Sequence, residues 1–429
     1  MSVQTPSVAA RAEPASRAYA MYVLGVLLIV YTFNFIDRIV LGVLVPPIKA
    51  ELGLTDTQLG LLGGTAFALF YTALGIPIGW LADRFNRVWI MTAALALWSA
   101  FTAACGLATN FTQLFLARLG VGVGEAGGVA PAYSFIADYF PPSQRARALG
   151  VHAFGIPIGS ALGLFAGGMI ASLVDWRTAF FILGISGLVI APLQLFTVRE
   201  PARGGLDVQS AAPRSKPSLA HVARVLARKP AFWGLSVAAA SSSIMGYGMF
   251  FWLPSFFVRS FGLTLMQVSV YFGAIMLVGG VAGVWLGGQL ADRYGAARKA
   301  AYALVPAVAL ILIVPFYVIG VLGDGFSWAF VIFVIPTGLS LVWLGPTISA
   351  IQHLVPPDMR ALASAIFLFV NNLIGLGLGS LIIGALSDAL AVRFGAESLR
   401  YAILSGTSFY VLAAALFFWS SRRLERDWE

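Results

Sequence analysis

The sequence predicts an all-α membrane protein of twelve transmembrane helices arranged as two related six-helix bundles. Three observations lead there. Of its 429 residues, 59% are hydrophobic and 10% charged, with a mean hydropathy of +0.88, whereas a soluble domain carries about 25% charge. The apolar residues gather into twelve stretches, each close to the roughly 20 residues that cross a bilayer. Short motifs of the first half also return at corresponding places in the second.

In chain order the stretches cover residues 20–45, 58–81, 88–109, 111–138, 146–172 and 177–198, then 231–257, 266–290, 299–322, 326–350, 361–388 and 399–421, numbered here as spans one to twelve. Ala108, Thr109 and Asn110 form the turn between spans three and four; Gly323, Asp324 and Gly325 form the one between spans nine and ten. The long polar interruption, 199–229, is rich in Pro, Ser and Arg. The expected organisation is a tail at 1–20, a bundle at 21–198, a linker at 199–229, a second bundle at 230–421 and a tail at 422–429.

An even number of spans places both termini on one side. Of the 27 Lys and Arg, 20 fall in the termini and even-numbered loops, while five lie opposite: Lys49, Arg177, Arg259, Arg393 and Arg400. That bias predicts cytoplasmic termini, and the short tails and compact outer loops suit a bacterial inner membrane. The first apolar run is too long for a cleavable signal peptide.

Several function classes drop out. A net charge of +9 spread over loops does not make a nucleic-acid face. Cys105 has no partner, and His152, His221 and His353 are scattered, so neither a metal nor a cofactor is expected. Residues 122–127, GVGEAG, satisfy GxGxxG but lie mid-helix with no strand before them; no Gly-Lys-Ser/Thr occurs, which removes the nucleotide motors. An intramembrane lipid hydrolase would need a nucleophile and base at one depth, and no such set is evident. A channel would need a repeated selectivity loop. An enzyme is therefore not expected.

GWLADRF at 79–85 returns as GQLADRY at 288–294, each closing the second span of its half, and PPSQRA at 141–146 returns as PPDMRA at 356–361 before the fifth. Such matches indicate parallel repeats related by an axis along the membrane normal, a transporter's architecture. Gly155, Gly159, Gly163 and Gly167 recur every fourth residue along span five, with Gly375 and Gly379 on span eleven. Small-residue faces let helices approach closely, and these are expected to pack where the two bundles meet.

The loop GWLADRFNR and its repeat resemble the signature loop of the major facilitator superfamily, and the resemblance covers essentially the whole chain. It implies the major facilitator fold. It also implies a conformational lock, carried onto Asp83, Arg84 and Arg87, and more weakly onto Asp292 and Arg293, with Arg145 and Arg360 at the second repeated motif; Asn86 and Ala296 depart from the usual pattern. NFIDR at 34–38 with GVL at 42–44, and ARLGVGVGEA at 117–126, resemble the Spinster branch. Spinster-like proteins carry lysolipids or sphingoid lipids.

Ionisable groups at membrane depth cost at least ~2.5 kcal/mol each and persist when they pair or line a cavity. Four stand out, all in the first half: Asp37, Arg38, Arg118 and Glu125. Asp37 and Arg118 each lie about seven residues in from the outer face on oppositely directed spans, so a salt bridge between them is expected; Glu125 follows two turns deeper. Asp37 is the expected principal proton acceptor, Arg118 its switchable partner and Glu125 a second carboxylate or a substrate-contacting group, because a carboxylate that loses its cation in an apolar cavity takes a proton. Arg38, about 100° round the helix, is expected to meet a substrate headgroup or a neighbouring helix.

An apolar chamber with few polar fixing groups is expected from Tyr31, Asn34, Phe35 and Phe154 in the first half and Tyr247, Phe251, Trp343, Phe367, Asn371 and Asn372 in the second. The combined expectation is a monomeric secondary transporter working by alternating access, with an amphipathic lipid or hydrophobic organic anion, protons and the bilayer as its partners. A proton-coupled exporter of drugs or organic acids is the alternative.

Overall fold

The computed structural model describes residues 16–82, 84–201, 218–295, 298–323, 325–356 and 359–428; Asp83, Ala296 and most of the linker lie outside them. Among the described residues there is no strand. The first half runs as Arg17–Leu52, Asp56–Ala82, Arg87–Cys105, Phe111–Glu125 continued by Val129–Tyr139, Pro142–Ala153 continued by Gly155–Leu173, and Trp176–Thr197. The second runs as Pro230–Phe261, Leu265–Gly295, Ala301–Leu322, Phe326–Leu339 with Leu344–Gln352, Arg360–Asn371 with Gly377–Phe394, and Ser398–Gly406 with Ser408–Asp427. Ten helical runs are long and apolar enough to cross a membrane. Leu362–Asp427 combines spans eleven and twelve, and span four is broken after Glu125, which accounts for all twelve.

Span one runs seven residues past the far end of its apolar stretch. It passes through Pro46 and Pro47 to Leu52, where Gly53 takes the left-handed conformation at φ 63° and returns its N–H to the Lys49 carbonyl. Proline removes a donor and crowds the carbonyl four residues back, yet membrane helices tolerate it when neighbours take up the freed groups. In the linker, Ser218 caps the short helix Leu219–Ala227, whose Val222 and Leu226 are buried where it meets span eleven.

The packing repeats as the sequence does. In the first half, span five lies on one, four on two and three, and six on three; in the second, eleven lies on seven, ten on eight and nine, and twelve on nine. Between the halves, five meets eight, two meets eleven and one meets seven, again a symmetric set. The glycine faces turn out to serve the first kind of contact. Cβ atoms at Gly155, Gly159 and Gly163 would strike Tyr31, Thr32 and Ile36 of span one, and those at Gly375 and Gly379 would strike Ser243 and Ile244 of span seven. They bind span five to one and eleven to seven inside each half, while across the halves it is Gly168 that lies against Ser269 of span eight.

Every hydrogen bond joining the two halves between described residues lies from mid-depth to the face opposite the termini. The innermost runs from Thr65 Oγ1 to the Gly377 carbonyl at 2.6 Å, followed outward by Ser380 Oγ to the Gly60 carbonyl at 2.8 Å. Cβ atoms at Gly60 and Gly64 would strike Ser380, and one at Gly42 would touch the Phe251 backbone at 3.3 Å. Towards the termini, Gly75, Gly79 and Gly288 have open space beside them. Among the described residues the molecule is shut on one face and parted on the other.

Candidate functional site

Span one presents three polar residues at its middle: Asn34, Asp37 and Arg38. Span four brings Arg118 and Glu125 to them because it can approach spans two and three closely. Cβ atoms at Gly122 and Gly124 would sit 2.5 Å from the Phe67 carbonyl oxygen and the Trp98 nitrogen respectively. The helix then ends at Glu125 in a turn through Ala126, Gly127 and Gly128, which fixes the carboxylate at the bundle centre. Gly122→Ala is expected to cost about 2 kcal/mol, as overpacking does, and to lower the melting temperature of the detergent-solubilised protein measured by scanning fluorimetry.

All four expected charges gather here, with partners that differ from the expected ones. Arg38 Nη2 donates to Glu125 Oε2 at 2.7 Å and its Nε donates to the same oxygen at 3.3 Å. The guanidinium also lies 4.8–4.9 Å from the ring centres of Phe35, Phe67 and Tyr71, close enough for cation–π attraction. Its side chain is 10% exposed, whereas that of Glu125 is fully buried. Arg118 does not bridge to the Asp37 carboxylate; its Nη1 donates to the Asp37 main-chain carbonyl at 3.2 Å. Both carboxylate oxygens of Asp37 are buried without a hydrogen-bond partner, on the side facing Thr102 and Trp98 of span three. The cause is helical phase. Asp37 and Arg38 are consecutive, so with Arg38 turned towards Glu125, Asp37 must point towards span three and offers Arg118 its backbone instead.

The expected cavity residues divide. Tyr31 stacks on His152 at 4.3 Å and meets Phe35 edge-on at 5.2 Å; Asn34 Oδ1 accepts from Arg38 at 3.5 Å. Tyr247 of span seven lies within electrostatic reach of Arg38, and Phe154 is half exposed. Phe251 packs against Gly63 in the seam between the halves and is buried. Trp343 and Phe367 are buried against each other, ring centres 6.3 Å apart. Asn371 is buried too, accepting from Ser243 Oγ at 2.8 Å, and Asn372 opens the π-helical turn Asn372–Leu376. Aromatic residues on membrane helices serve packing and cavities alike, and composition does not separate them.

Arg87 is 3% exposed and held within the first half: its N and Nε donate to Glu200, and its Nη1 donates to Asp138 at 2.6 Å and Ser134 at 2.8 Å. Arg145 Nε donates to the Ala137 and Phe140 carbonyls. Arg84 lies over the Trp80 ring at 3.7 Å, and Arg293 is exposed beside Tyr294. Arg360 Nε is buried without a hydrogen-bond partner. Asp83 lies outside the described residues, as does the side chain of Asp292. Between described residues, none of these arginines bonds across to the other half.

The closed face carries an ion-pair cluster that sequence reasoning missed. Asp56, at the start of span two, takes two 2.7 Å bonds from Arg259 of span seven, one from Lys49 Nζ and one of 2.7 Å from Ser387 Oγ of span eleven. Asp388 accepts the main-chain N–H groups of Asp56 at 3.0 Å and Thr57 at 2.7 Å, together with the Thr57 hydroxyl. Thr55 and Gln58 form a capping box at this helix start, but partners about 200 and 330 positions away leave no local signal in the sequence.

Two packed six-helix halves, closed across one face and, among the described residues, parted at the other, with unpaired buried charge inside the first half, define a membrane transporter. The sequence model of the Major Facilitator Superfamily matches residues 27–380. The chain belongs to that superfamily, in its Spinster-like branch. It is similar to the MFS-type efflux pump of Mycolicibacterium smegmatis, 35% identical over 96% of this chain and 94% of that protein. It is also similar to the sphingosine-1-phosphate transporter SPNS2 of Danio rerio, 29% identical over 93% of this chain and 84% of that one. Among solved structures it resembles a bacterial homologue of the human lysosomal transporter Spinster in its inward-facing, unoccupied conformation. There the TM-score is 0.89 and the identity 32%, covering 96% of this chain and 99% of that one.

Proposed function

We propose that this transporter moves an amphipathic lipid of lysolipid or sphingoid type, or a hydrophobic organic anion, across a bacterial inner membrane by alternating access, driven by protons taken up at Asp37. The carrying observation is a fully buried carboxylate without a partner, set beside an Arg38–Glu125 pair. A buried charge without a partner is costly enough that neutralisation by a proton competes with it. With both termini in the cytoplasm, the parted face opens inward, as in the bacterial Spinster homologue. The name of the zebrafish relative favours a lipid cargo.

Arg38 supplies the recognition chemistry. It is the one member of the four-charge cluster whose side chain keeps exposure, 10%, and a guanidinium suits phosphate or carboxylate. An anionic headgroup that draws Arg38 from Glu125 leaves the Glu125 carboxylate uncompensated beside Asp37, so a proton taken up at Asp37 offsets the charge and anion and proton load together. The testing experiment is flux of a lysolipid panel into proteoliposomes under an imposed proton gradient. Anionic headgroups should outpace neutral ones, and Arg38→Gln should remove that preference, about tenfold for one charge-assisted hydrogen bond. Equal rates for all headgroups in the native protein would remove the role of Arg38. The name of the mycobacterial relative favours a second reading, a proton-coupled exporter of drugs or organic acids; competition by small cationic dyes without competition by lysolipids would select it.

A further inference from the structure

Outside the charged cluster, the second half carries a groove that the transport reading leaves unused. It holds about 480 Å³ between spans eight and nine, lined by Leu286 and Leu290 of span eight, Val308 and Leu312 of span nine, and Leu339 and Val342 of span ten. Val308 and Leu312 at its rim are about half exposed, whereas Val342 is fully buried, so span ten forms the floor. Glycine brings that floor in. Cβ atoms at Gly283 and Gly287 of span eight would strike the Gly338 and Val342 carbonyls, a backbone contact that larger side chains would prevent.

Two features separate this groove from an ordinary helix seam. The first is its extent. Ala301 and Leu312 of span nine both line it, and that stretch of helix is ~16 Å long, about half of the ~30 Å hydrocarbon core. The groove therefore runs from mid-membrane to the face that carries the termini, the depth of one leaflet. The second is the chemistry at that end. Its other walls are apolar throughout, but Tyr294 and Arg298 stand at its mouth. Arg298 is exposed and, among the described residues, makes no ion pair. Lys299, the next residue, is turned over the Trp428 ring at 5.3 Å, which leaves the guanidinium as the cation of the mouth. Its fork of donors matches a phosphate.

We propose that the groove binds an anionic phospholipid from the leaflet on the side of the termini, with one acyl chain along spans eight, nine and ten and the headgroup phosphate on Arg298. Basic pockets between membrane helices hold acidic headgroups in this way. The bound lipid is not the cargo: it lies on the outer surface of the second half, whereas Arg38 and its neighbours lie in the first. It also touches span ten where that helix is broken. One helix ends at Leu339 and the next begins at Leu344, and Trp343 between them is buried against Phe367 of span eleven. A chain lying on Leu339 and Val342 supports the break from the bilayer side.

The test places the native protein and Arg298→Gln in phosphatidylcholine nanodiscs. Each carries a trace of phosphatidylglycerol or of phosphatidylcholine with a photoactivatable diazirine midway along one acyl chain, and mass spectrometry maps the labelled residues. Phosphatidylglycerol should label Val308 and Leu312 about fivefold more than phosphatidylcholine does, the preference one arginine confers on an acidic headgroup. Arg298→Gln should bring the two probes level. At Val189, exposed near the middle of span six in the first half, both probes should label alike. A preference at Val189 equal to that in the groove would show general attraction to a basic protein and overturn the site. Equal labelling of the groove by both probes in the native protein, the mark of ordinary bilayer contact, would overturn it without recourse to any variant. A preference that survives in Arg298→Gln would overturn the headgroup assignment. Label confined to the residues around Arg38 would make the phospholipid a cargo and overturn the groove.

Discussion

Replacing Asp37 with asparagine is expected to abolish accumulation of substrate against its gradient while counterflow continues. The amide would keep the volume and much of the polarity of the native side chain but lose the site that changes charge. At one proton per substrate, each pH unit supports about tenfold accumulation, since one unit is worth ~1.36 kcal/mol; the variant's accumulation ratio should fall to one. The structure gives the substitution a mild cost in stability, because it removes a buried carboxylate that makes no ion pair. Glu125→Gln behaves differently. It strips Arg38 of its 2.7 Å partner, and breaking a buried pair costs about 3–5 kcal/mol through the charge left behind. Full accumulation in a well-folded Asp37→Asn protein, measured with an imposed pH step, would end the assignment of Asp37.

The contrast between these two carboxylates shows how far the residues alone could be read. Composition and the period of apolar runs are properties of single segments, so the twelve spans, the break between halves and the positions of Asp37, Arg38, Arg118 and Glu125 within spans were legible. Span ends were less so: the apolar stretch of span one ends at 45, whereas the helix continues through Pro46 and Pro47 to Leu52. Pairing was less legible again. Helical phase separates Asp37 from Arg38 by about 100°, but which of them faces span four depends on the rotation of span one, and that is set by Gly159 and Gly163 packing against Thr32 and Ile36. The same packing turned the glycine faces into contacts within each half. Contacts such as Asp56 to Arg259 lie between repeats, where no local pattern marks the partner.

That contact carries the other large effect. Arg259→Ala is expected to shift the molecule towards a state open at the face opposite the termini. Asp56 binds span two to spans seven and eleven through Arg259 and Ser387, and alternating access requires these bonds to break when that face opens. They stabilise only the state in which they form, so their loss biases the equilibrium rather than the fold. Lys49 and Ser387 still serve Asp56 after the change, which limits the loss to about 2 kcal/mol, the value of a hydrogen bond to a charged group, or roughly thirtyfold in population. Spin labels at Val174 and Val392, both exposed on that face, one in each half, would report it as a longer distance in pulsed dipolar spectroscopy. Arg177→Ala is the matched control. Arg177 pairs with Glu51 on the same face at 2.7 Å but joins two spans of one half, so its removal should leave the distribution unchanged. A distribution equally unmoved by Arg259→Ala would show that the apolar seam through Gly60, Gly63 and Phe251 holds the face shut without the charges.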